Sequence, residues 1–146
     1  MKKLLAALLI ALMGTTAWAA EGCVQSMSGD GSYKVLQMVW TTDGSGNFTA
    51  TDTGYDINGI VILAETVPSG TAAPTNLYDI VLNNESGIDV FGGALGDRSS
   101  TTAEQTMPLL DGNHTGVSVM GPLTFDVTNA GNSKSGTLRI HFITVK

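Results

Sequence analysis

Short apolar runs alternating with period two, each cut off by a cluster of turn formers, dominate this chain. "LTFDVTN" (123–129) shows the pattern most plainly. Leu123, Phe125 and Val127 fall on one face of an extended strand, and Thr124, Asp126 and Thr128 on the other. The same reading predicts strands over 33–42, 48–53, 57–67, 77–83, 88–92, 116–120 and 137–145. "DGSGN" (43–47), "PSGTAAPTN" (68–76), "NESG" (84–87) and "AGNSKSG" (130–136) are the turns and loops between them. Residues 93–115 read as irregular. "FTATDT" (48–53) alternates weakly and suits an edge. Beyond the first twenty residues no segment keeps a helical period, so crossover helices and a parallel sheet are excluded. The expected fold is all-β: an antiparallel β-sandwich, jelly-roll-like, of about eight strands in one domain over 33–146. A closed barrel is the alternative.

The N-terminus has another character. Lys2 and Lys3 precede the apolar run "LLAALLIALM" (4–13), and Ala17-Trp18-Ala19 offers small residues before a cut. This is the pattern of a secretory signal peptide over residues 1–19, in a bacterial style. The run is half the length of a membrane span, which needs about 20 residues. The chain is therefore expected to be exported, to the periplasm, the medium or the cell surface, with no membrane attachment in its mature form. Residues 20–32 read as a flexible segment. Cys23 is the lone cysteine. It lacks the upstream leucine of a lipoprotein site, and it has no intrachain partner.

Charge narrows the partners. The whole chain carries −6, and loss of Lys2 and Lys3 takes it to −8. Lys34, Arg98, Lys134, Arg139 and Lys146 are the basic residues left, and they are scattered. Nucleic acid needs clustered cations, so it is excluded as a partner. Calcium and neutral sugars remain compatible with such a surface.

The candidate sites are few. "GYDINGIVILAE" (54–65) sets Asp56, Asn58, Gly59 and Glu65 at EF-hand spacings, but Gly54 stands where the first aspartate belongs and the flanking helices are missing. "GGALGDRSS" (92–100) departs from the calcium nonapeptide at Leu95 and occurs once. His114 and His141 lie far apart for zinc, and no nucleophile elbow is present. No catalytic residue, cofactor or metal ligand is assigned, and the chain is read as a non-enzyme. Tyr55 and Phe48 are the aromatics expected to be exposed for glycan stacking. In "YDIVLNNESGIDVFGGALGDRSS" (78–100), Tyr78, Ile80 and Leu82 share a face, and "NNESG" is a hairpin turn. Asp79 and Asp89 then emerge on one side near Arg98. The expectation is a structural Asp79–Arg98–Asp89 clasp.

The order of motifs resembles a set of small proteins encoded in tailed-phage and prophage structural modules. Their signature is similar to P-T-x-x-Y-D-I, then D-x-x-G-x-D-V-x-x-G-x-x-x-x-R, then a glycine-led strand ending in N-x-G. Pro74, Thr75, Tyr78, Asp79, Gly87, Asp89, Val90, Gly93, Arg98, Gly121, Asn129 and Gly131 carry it here, and it spans roughly 33–143. The resemblance implies a virion-associated structural role, such as a capsid or tail accessory protein, and no catalytic residues. The sequence thus points to an exported structural or surface protein that associates with itself or with a larger protein assembly. The alternative is a secreted module that binds glycan or calcium.

Overall fold

The structure is a computed structural model that describes residues 21–144. The expected signal peptide lies outside the described residues. The fold is all-β and antiparallel, as the period-two pattern requires. Strands β1 (Gly22–Ser28), β2 (Tyr33–Thr41), β3 (Phe48–Asp52), β4 (Gly59–Pro68) and β5 (Asp79–Asn83) come first. Three short strands follow, β6 (Glu104–Thr106), β7 (Leu109–Leu110) and β8 (Asn113–His114). β9 (Val117–Val119), β10 (Thr124–Thr128) and β11 (Ser135–Thr144) complete the order. The large sheet runs β1-β2-β11-β4-β6, with β9 also on β4, and the small sheet runs β3-β10-β5. β7 and β8 form a separate hairpin.

The two sheets pack face to face. Leu36, Met38 and Trp40 of β2, and Leu138, Ile140 and Phe142 of β11, are buried on the large sheet. Phe48, Ile80, Leu82, Phe125 and Val127 face them from the small one. The Phe48 and Phe125 rings meet at 5.2 Å, and Trp40 and Tyr78 at 5.6 Å. Such tilted pairs add to the burial of large apolar surfaces. Gly136 lies opposite Trp40 on the neighbouring strand. A Cβ there would come within 2.6 Å of the indole ring, so glycine makes room for the largest core side chain.

Strand β4 breaks its own alternation. His141 pairs with Leu63 and Phe142 with Val61, so Ile62 is an extra, bulged residue. The bulge lets Val61, Ala64 and Thr66 all face inward. The buried hydroxyls of Thr42 and Thr53 find partners. Thr42 donates to the Gly131 carbonyl at 2.7 Å and accepts from the Lys134 amide at 2.9 Å. Thr53 accepts from the Leu123 amide and donates to the Tyr55 carbonyl. Asp43 caps the amides of Ser45 and Asn47, which makes 43–47 the turn its residues suggest.

Three expectations are corrected. The segment 20–32, read as flexible, contains β1, paired along its whole length with β2. "IDVFG" (88–92) is no strand. It makes a single bridge, Asn83 to Asp89, and then turns. Residues 93–115, read as irregular, contain β6 and the β7–β8 hairpin.

Candidate functional site

The stretch 78–100 folds back along the free side of β5. Asn84 organises the turn. Its side-chain oxygen accepts from the amides of Ser86 and Ile88, and Gly87 sits at φ +75°. The returning chain is then held by backbone bonds: Val90 N to Leu82 O, Ile80 N to Leu95 O and Arg98 N to Tyr78 O. Between them Asp89 accepts from the amides of Phe91 and Gly93, at 3.0 and 2.7 Å. Asp79 accepts from the Asp97 amide at 2.9 Å and from Asn129 Nδ2 at 2.7 Å. The side-chain oxygens of Asp79, Asn84 and Asp89 therefore bond to the protein's own donors.

The clasp takes a different form from the one expected. Asp79 and Asp89 both hold the return, but neither pairs with Arg98. The guanidinium lies 3.8 Å from Glu104 Oε2 and donates to the Gly96 carbonyl. Glu104 also accepts from the Ser99 amide at 2.6 Å. The arginine thus binds the return to β6, and the two aspartates bind it to itself and to Asn129. Beneath it Tyr78 is fully buried, and that burial raises the pKa of its hydroxyl.

The calcium-like spacing of 54–65 disperses in space. Glu65 points from the outer face of β4 to Arg139, at 2.7 Å, while Asn58 accepts from the Gly121 amide. Among the described residues no three His, Cys, Asp or Glu side chains are grouped to hold a metal ion. Phe48, expected to be exposed, is in the core. Tyr55 is exposed as expected, and so is Tyr33. His114 bonds the Met107 carbonyl, and His141 bonds the Tyr33 hydroxyl.

The open face of the large sheet is a site that sequence reasoning missed. Gln37, Arg139 and Glu65 lie side by side on β2, β11 and β4, and Arg139 bonds both neighbours. One step along β11 is His141, whose pKa is lowered by burial. Tyr33, Val39, Ile60 and Ile143 stand exposed around this polar row. The local signal was only the alternation of "TLRIHFITV". Its partners on β2 and β4 lie 102 and 74 residues away in sequence.

At one side of the sandwich, β1 approaches β3. The Glu21 carboxylate accepts from the Thr49 amide at 2.8 Å. The Gln25 amide group accepts from Gly54 N at 2.7 Å and donates to Asp52 O at 3.3 Å. A groove of about 300 Å³ lies between these strands, and Cys23 lines it. Burial pushes the Cys23 thiol up to about 11, so it is a poor nucleophile at neutral pH. No helix among the described residues is long and apolar enough to cross a membrane. No protein-family model, no curated protein and no solved structure matches this chain.

Proposed function

We propose that this chain is an exported, non-enzymatic structural or surface protein that self-associates or decorates a larger protein assembly, in the manner of a virion accessory protein. The observation that carries the reading is the fate of the polar side chains in and beside 78–100. Asp79, Asn84, Asp89 and Glu104 cap backbone amides and brace a loop, which is the work of a scaffold. A protein so built acts through its surfaces and strand edges. The leader-like N-terminus supports export, and the motif resemblance supports membership in an assembly.

The test is light scattering on the protein recovered from the cell exterior or periplasm, joined to co-sedimentation with particles and cell envelopes. Association in either assay is expected. A strict monomer that binds neither overturns the reading.

A second reading is favoured by one observation, the open sheet face. Tyr33 is 45% exposed there, beside a polar row of Gln37, Arg139, Glu65 and His141. An aromatic ring with hydrogen-bonding neighbours on a flat sheet suits a sugar ring. A glycan-array screen decides it, with Tyr33→Ala as the control. Calorimetric titration with calcium tests the other half of the ligand-binding alternative.

A further inference from the structure

The sandwich has four sheet edges, of which two are covered and a third is broken into short pieces. The β5 edge is covered by the 84–98 return through backbone bonds. The β3 edge, which the sequence suggests as an assembly contact, is capped by Glu21 and Gln25. The far edge of the large sheet is split between β6 and β9, of three residues each. β1 remains. It is seven residues long, pairs only with β2 among the described residues, and contains no charged side chain and no proline. Long uncharged edges are what monomeric β-proteins avoid.

We propose that β1 docks a second copy of this chain, antiparallel to its own β1 about a two-fold axis. This rests on the self-association reading and names the surface. The register that uses the whole strand centres on Gln25. It sets Gly22 against Ser28, Cys23 against Met27 and Val24 against Ser26, keeping each face on its own side. Charge agrees with this occupant. The strand is a neutral strip on an acidic protein, so two copies approach here without like charges in register. Glu21 of one copy arrives opposite Gly29 of the other. The Gly29 carbonyl holds the Lys34 ammonium at 3.1 Å, so a cation rather than a second carboxylate lies at each end of the seam. On the outer face Val24, 73% exposed, carries the apolar strip begun by Val39 up to the seam, where it lies against Ser26 of the other copy. Cys23 faces Met27 in this register, so no disulfide is needed.

Sedimentation velocity across a concentration series of the exported protein tests this. Wild type should dimerise. Val24→Lys/Ser26→Lys places lysine against lysine twice, on exposed positions, and should raise the dissociation constant roughly tenfold or more. Val24→Glu/Ser26→Glu should do the same, and an equal mixture of the two variants should form a heterodimer. If either double variant melts early, Val24→Lys mixed with Ser26→Glu carries the same test. A wild type that associates while the variants associate equally overturns the β1 edge and leaves the broader reading standing. A wild type monomeric at every concentration overturns the β1 proposal, and with no binding to particles or envelopes it overturns the broader reading as well.

Discussion

Asp79 and Asn129 are bonded side chain to side chain at 2.7 Å, and the other oxygen of Asp79 holds the Asp97 amide. One carboxylate thus joins β5, the 84–98 return and the residue that follows β10. Asn129 sits at φ +61°, a conformation that asparagine tolerates better than most residues. Asp79→Ala removes both bonds and should cost about 2 kcal/mol, since hydrogen bonds to a charged group contribute about 1.5–3 kcal/mol each and these are partly solvated. Thermal melting by circular dichroism should show a fall of several degrees. Asp79→Asn, which keeps an acceptor, should lose less.

The partner of Arg98 is open to a double-mutant cycle. Arg98→Ala with Glu104→Ala should show a coupling of about 0.5 kcal/mol or more in urea unfolding. Arg98→Ala with Asp89→Ala should be additive to within about 0.3–0.5 kcal/mol. The reverse pattern would restore the Asp89–Arg98 contact that the sequence suggests. Each single change also frees one further partner, Glu104→Ala the Ser99 amide and Arg98→Ala the Gly96 carbonyl, so both should lower stability.

Gly136→Ala is expected to destabilise the protein by about 1–3 kcal/mol, the usual cost of overpacking a core. The added methyl meets the Trp40 ring. Near-ultraviolet circular dichroism and tryptophan fluorescence should shift with it, since the indole must move.

Two groups give the stability a pH dependence of opposite sign. His141 is held below the usual imidazole value, first by burial and then by Arg139, with Glu65 opposing. The unfolded chain takes up this proton near pH 6.5 while the folded chain resists it. Its contribution is therefore complete above that pH and falls as pH drops toward the folded value. The melting temperature should decline over that window, and less so in His141→Phe. Burial raises the Asp126 carboxyl, so the folded state favours its protonated form. That contribution is complete below about 3.8 and is lost as pH rises through the folded value. Asp126→Asn should melt higher than wild type at neutral pH.

Much of the fold was legible because it rests on local alternation. Phe125 and Val127 point inward and Asp43 makes its turn without help from distant residues. β1 was not legible. Cys23, Gln25 and Met27 form its inner face, and a glutamine at the centre breaks the apolar signal. It became a strand because β2 already presents an edge to it. The bracing of 78–100 was half legible. Asn84 and Gly87 announce a turn, whereas Arg98 had several carboxylates in reach, and its partner came from 104–106, where three residues are too few to read as a strand. The Gln37–Arg139–Glu65 row depends on register, which no local window contains.

The place of β11 has a consequence for the timing of folding. It lies between β2 and β4, yet it is the latest of the described strands in sequence. The large sheet therefore cannot close until residues 135–144 have been synthesised, and its contacts span most of the chain. Folds dominated by such distant pairings form slowly. A chain of this topology gains its large sheet only once β11 is complete, so its slowest contacts are also its last.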